Sequence, residues 1–148
     1  MNKNNYTTSF IVDQSPDEVF NAICDVKAWW SGEIHGTSDH LGAEFIYKFK
    51  EFHKTTQKVT EFIPGKRLVW HVTDGTLNFL ENKNEWVGTD IVFDIEVVDG
   101  KTQLTFTHIG VTPTSECYEA CSDGWDKFVN GNLKQFILTK QVQLSPFG

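Results

Sequence analysis

The side chains in this sequence that could do acid–base or thiol chemistry are a few histidines, carboxylates and cysteines, and their spacing decides what each could do. His108 stands in Leu104-x-Phe106-x-His108, where alternation puts its imidazole on the apolar side of a strand. A neutral imidazole there can orient a ligand, act as a base, or sit satisfied by a backbone carbonyl as a plain core group. Glu61 shares strand parity with Val59, so an inward Glu61 beside His108 would make an acid and base pair. No nucleophile sits at a recognisable elbow to complete such a centre. Cys117 and Cys121 stand four apart at the start of a helical pattern. A metal would need two further ligands, and no CxxC or HxxxH partner occurs. Thiols one helical turn apart have poor disulfide geometry, so both are read as buried and inert. His35, Asp39 and His40 fall in one segment read as a solvent-exposed loop. No catalytic residue, metal or cofactor is assigned, and the absence of GxGxxG and Walker patterns argues against nucleotides.

The larger signal is aromatic. Phe, Trp and Tyr make up 14% of the chain, with twelve Phe and five Trp. Strand and helix parity turn Phe45, Tyr47, Trp70, Phe93, Phe106, Trp125, Phe128 and Phe136 inward. Flat, rigid rings enclose an apolar guest at small entropic cost, and the same rings also pack as solid core. Both readings stand. The candidate ligand-binding set is Trp30, Phe45, Tyr47, Trp70, Phe93, Phe106, His108, Trp125 and Phe128.

These residues need elements to position them. Tyr6 to Val12 reads as a short strand. Ser15, Pro16 and Glu18 form a capping box with proline at the first helical position, and Val19, Phe20 and Ile23 give that helix an apolar stripe. Asp25 opens a second short turn that ends in Trp29-Trp30. From Gly42 to Gly110 the period is two. Strands are expected around Phe45, Tyr47 and Phe49, from Thr55 to Phe62, from Arg67 to Thr73, and from Gly88 to Val98. Asp99-Gly100 is a two-residue hairpin turn leading into Leu104, Phe106 and His108. After Pro113 the helical period returns, with Cys121, Trp125, Phe128, Val129, Asn132, Leu133, Phe136, Ile137 and Lys140 at three- and four-residue steps. The expected architecture is α+β, one long C-terminal helix across a curved antiparallel sheet of six to seven strands, with two short helices after the first strand. Trp29-Trp30 and Leu77-Asn78-Phe79-Leu80 flank that sheet as anchors, as a gate, or as a partner patch.

Taken together, several stretches carry a resemblance. Ser15-Pro16-Asp17-Glu18-Val19-Phe20, Trp29-Trp30, Gly42-x-x-Phe45 and Pro64-Gly65-Lys66-Arg67-Leu68-Val69-Trp70 resemble the START-like (SRPBCC) superfamily with its helix-grip fold. Thr102-x-Leu104-x-Phe106-Thr107-His108-x-Gly110 and Gly124-Trp125-x-x-Phe128 are similar to its branch named for the activator of heat-shock-protein ATPase. The resemblance implies a long helix gripping a seven-stranded sheet, commonly around an apolar cavity for lipids, hormones or polyketides, with loops gating its mouth. Some members catalyse cyclisation or hydrolysis, and others regulate a chaperone. The superfamily has no universal catalytic motif, so none is carried over.

Composition sets the limits. A chain of 148 residues is the length of one domain, and residues 1–148 are read as one. A formal charge of −7, with Arg67 the only arginine, argues against nucleic acid and anionic membranes. No apolar run approaches a membrane span, and the first residues hold no signal-peptide core. Three cysteines without an export signal point to a reduced, cytoplasmic protein. The expected function is binding of a small apolar or amphipathic molecule beneath the C-terminal helix. A chaperone-regulating interaction module is the alternative, with a cyclase or hydrolase third, in a monomer or homodimer.

Overall fold

The computed structural model describes residues 5–30, 33–51, 53–78, 80, 81, 83–112, 116 and 118–139. Strand β1 (Tyr6–Val12) leads to helix α1 (Pro16–Cys24), the short α2 (Val26–Trp29) and strands β2 (Glu33–Gly36), β3 (Glu44–Phe49), β4 (His53–Ile63), β5 (Arg67–Leu77), β6 (Asp90–Val98) and β7 (Lys101–Ile109). A helix then runs unbroken through α3 (Tyr118–Trp125), a π-helical segment (Asp126–Leu133) and α4 (Lys134–Thr139). The seven strands form one antiparallel sheet in the order β1-β7-β6-β5-β4-β3-β2, so the first strand closes against the last.

Local chemistry explains most boundaries. The Ser15 side chain accepts from the Glu18 amide at 3.2 Å, and the Glu18 carboxylate accepts from the Ser15 amide at the same distance, the reciprocal cap that starts α1. Asp99 and Gly100 both take positive φ, 51° and 78°, as a tight hairpin turn between β6 and β7 requires. The β2 edge strand is an addition: Glu33–Gly36 pairs with β3 where an irregular loop was expected. Its burial is slight, so period two had no apolar face to mark.

The apolar sheet face, α1, α2 and the C-terminal helix enclose one core. Leu68, Trp70 and Val72 on β5, Ile91, Phe93 and Ile95 on β6, and Leu104, Phe106 and His108 on β7 are all inward and buried, following the alternation. Val97 shares that parity yet is 66% exposed at the end of its strand. The outer face carries Arg67, which donates to Asp94 at 2.6 Å and to Glu61 at 3.2 Å, and His71 with Asp90 at 2.7 Å.

Two departures from regular geometry matter. Between Val59 and Glu61 the β4–β5 register slips by one residue, so Val59 faces Trp70 and Glu61 faces Val69. That bulge reverses parity and turns Glu61 outward, where it meets Arg67, so the Glu61–His108 pair that an inward Glu61 would have made does not form. The expected long α-helix is π-wound over Asp126–Leu133. Within it Asn132 is buried, on the stripe the helical period marks, and its amide donates to the Trp29 carbonyl at 3.1 Å.

Candidate functional site

At one end of the sheet the aromatic packing opens into a pocket of about 350 Å³. Its floor is Tyr47 and Phe49 from β3 and His53 from the head of β4, with Trp30 just after α2 beside them. Trp86, from the connection between β5 and β6, forms one wall. Ala120, Cys121, Gly124 and Trp125 of α3, with Phe128 on the first turn of the π-helical segment, form the roof. Among the described residues no Lys, Arg, Asp or Glu side chain lines it. The rings hold each other in fixed geometry: Trp30 stacks on Tyr47 with centroids 4.0 Å apart, and Trp86 stacks on Trp125 at 5.7 Å. The glycine at 124 lets the helix pass over the space without a side chain filling it, the nearest atom to a Cβ there being Phe128 Cε2 at 3.9 Å.

His53 is the polar exception on this wall. Its ring is wedged edge-on between Tyr47 and Trp86, each 4.8 Å away by centroid. Its Nε2 lies 3.0 Å from Thr55 Oγ1. Burial holds its pKa down to about 3, so it is neutral throughout the physiological range. Burial likewise pushes the Tyr47 hydroxyl above its ordinary pKa, and that phenol stays protonated.

Four of the nine residues expected at a ligand site line the pocket: Trp30, Tyr47, Trp125 and Phe128. The structure packs Phe45, Trp70, Phe93 and Phe106 together deeper in the core, behind this wall, with Trp70 edge-on to Phe45 at 5.0 Å and to Phe93 at 4.8 Å and Phe106 4.6 Å from Trp125. His108 also lies behind it. Its Nδ1 accepts from Trp125 Nε1 at 3.0 Å, which leaves the proton on Nε2 to donate to Thr89 Oγ1 at 2.8 Å. Thr89 passes its own proton to the Trp86 carbonyl at 2.6 Å. With 0% exposure and both nitrogens engaged, His108 has no lone pair or N–H left for a guest. Burial, reinforced by His53, holds its pKa to about 3.

A family model described as "Activator of Hsp90 ATPase homolog 1-like protein" matches residues 13–137. The chain belongs to this family. Among curated proteins none matches it. The solution structure of the Aha1 dimer from Colwellia psychrerythraea is 26% identical, aligned over 93% of this chain and 98% of that one with a TM-score of 0.74. Protein MLL2253 from Mesorhizobium loti is 14% identical over 95% of this chain and 100% of that one, with a TM-score of 0.72. CalU16 from Micromonospora echinospora is 17% identical over 90% and 76%, with a TM-score of 0.64. At those two identities the likeness is one of fold.

Within this Hsp90-activator-like family the fold expectation, a START-like sheet gripped by a C-terminal helix, holds for the chain. Six pocket residues escaped the reading of the sequence as a site: Phe49, His53, Trp86, Ala120, Cys121 and Gly124. For His53 a signal existed. Extending β4 two residues upstream of Thr55 puts His53 on the face of Val59, but polar Thr55 and Gln57 hide an inward face. Trp86 lies in a connection with no period to orient it. Cys121, expected as an inert thiol, is disulfide-bonded, and its Sγ accepts from Trp86 Nε1 at 3.3 Å. Cys117 and Phe79 lie outside the described residues, while Leu77 ends β5 and is buried, as is Leu80. Cys24 is free, and burial pushes its thiol up to about 12, which removes nucleophilic character. Among the described residues no group of three His, Cys, Asp or Glu side chains could hold a metal, and no helix is long and apolar enough to cross a membrane.

Proposed function

We propose that this chain binds a small apolar or amphipathic molecule in the pocket under α3. The observation that carries the reading is an aromatic enclosure of about 350 Å³ beneath the helix, uncharged among the described residues and of a size within the range of small-molecule sites. Trp30, Tyr47, Phe49, Trp86, Trp125 and Phe128 supply apolar contact, and His53 supplies a polar one. An acid–base enzyme finds less support, since Glu61 lies on the outer sheet face and both His108 nitrogens are engaged.

Titration with a naphthalene-type dye tests the reading, because the guest would lie against Trp30, Trp86 and Trp125 and alter their emission. Saturable binding at tens of micromolar, about −6 kcal/mol, is expected. Failure to saturate in that range overturns it. A second reading, regulation of a chaperone through a surface, draws support from the family match over residues 13–137. Native mass spectrometry separates the two: a co-purified small molecule favours the pocket, and a bound chaperone favours the surface.

A further inference from the structure

The pocket contains a hydrogen-bonding group whose role is dictated from behind. Gln57 is fully buried, and its amide suits its surroundings in one orientation. In that orientation Nε2 donates to the carbonyls of Phe45 and Thr55, each at 3.2 Å, and Oε1 accepts from Thr55 Oγ1. The Thr55 hydroxyl has thereby spent its proton and can only accept from His53. Its partner there, Nε2 of His53, must carry the ring proton. A neutral imidazole with its proton on Nε2 keeps a lone pair on Nδ1. Nδ1 has no hydrogen-bond partner among the described residues, on a ring that lines the pocket.

The backbone secures this relay. Gly75 on β5 lies opposite Thr55, and a Cβ there would come within 2.7 Å of Thr55 Cγ2. Only a glycine leaves Thr55 in place. Of the three indoles on the pocket wall, Trp86 donates to Cys121 and Trp125 donates to His108. The N–H of Trp30 has no partner among the described residues.

We propose that the molecule this pocket takes is neutral and gives a hydroxyl or N–H proton to Nδ1 of His53, as a phenol or another aromatic alcohol does. The proposal rests on the reading of the pocket as a ligand site and adds the chemical class of its guest. A carboxylate is disfavoured: among the described residues no lysine or arginine lines the space, and an ionised group buried there would lose its hydration without a counter-charge. The half-buried imidazole, its pKa held down to about 3, is neutral at pH 7 and cannot supply that charge.

Naphthol, naphthalene and naphthoate have one ring system and differ in the group that reaches His53, so titrating each at neutral pH isolates the contact. The expected order has naphthol several-fold to about tenfold tighter than naphthalene, as one net hydrogen bond implies, with naphthoate weakest. In His53→Phe the atom that would accept the hydroxyl proton is gone, so naphthol and naphthalene converge in affinity and the naphthol advantage disappears. Equal affinity for naphthol and naphthalene, tightest binding of naphthoate, or an advantage that survives in His53→Phe overturns the proposal while leaving the pocket reading standing. If none of the three saturates, the pocket reading itself falls and the proposal falls with it. Imidazole nitrogen NMR of the unaltered protein keeps the test independent of the variant's folding. The expected spectrum shows His53 protonated on Nε2, with the Nδ1 resonance moving on addition of naphthol but not of naphthalene. A proton on Nδ1, or no response to saturating naphthol, overturns it.

Discussion

Trp125 gives its indole N–H to Nδ1 of His108 across 3.0 Å, and both side chains are sealed from solvent. This bond ties the C-terminal helix to β7, and it settles which tautomer His108 adopts. With Nε2 donating to Thr89, the imidazole is a structural bridge between helix, strand and the Trp86 connection.

Removing that bridge has a defined cost. His108→Leu keeps a similar volume but leaves the Trp125 N–H buried without an acceptor. Stability should fall by about 1–3 kcal/mol, read as a lower midpoint in urea melts. Because His108 is not on the pocket wall, the folded fraction should bind a naphthalene dye with little change. Intact stability with lost binding would mean that His108 serves the guest after all.

The same histidine predicts a pH dependence of stability. Its pKa is about 3 in the fold against an ordinary 6.5, chiefly because burial disfavours the charged form. Between those values the unfolded chain binds a proton that the fold refuses. Stability is therefore full above the unfolded value and declines as pH falls through the window, by up to about 1.4 kcal/mol per pH unit. His53 acts in the same direction. Urea melts at about pH 7 and about pH 5 should show the loss, and His108→Leu should show a shallower one. An identical slope in the variant would remove His108 as the cause.

Gly131 lies within the π-helical segment, and a Cβ built there meets nothing within 4 Å. It has neither a close neighbour nor a positive φ to require glycine. Gly131→Ala should therefore raise stability by about 0.4–1 kcal/mol, mainly by restricting the unfolded chain. Thermal melts of the pair check it, and a drop would show that the wide turn depends on glycine.

What the sequence by itself determined is what depends on near neighbours in the chain. The Ser15–Glu18 cap, the Asp99–Gly100 turn and the inward parity of Leu104, Phe106 and His108 follow from local sterics and from alternation against one apolar face. Tertiary structure decided the rest. One slipped residue between Val59 and Glu61 turned a candidate acid to solvent, and nothing in the neighbouring residue types announces a bulge. Whether a ring fills space or borders it depends on rings from distant elements: Trp70 meets Trp29, Phe45 and Phe93 and is packed solid, while Trp30 and Trp125 meet the gap left above Gly124. His53 became a pocket group only when buried Gln57 found the Phe45 carbonyl on the neighbouring strand and Thr55 bonded Gln57 and His53 along its own. A hydrogen-bond relay and an unfilled volume are properties of assembled surfaces, and no single stretch of chain contains either.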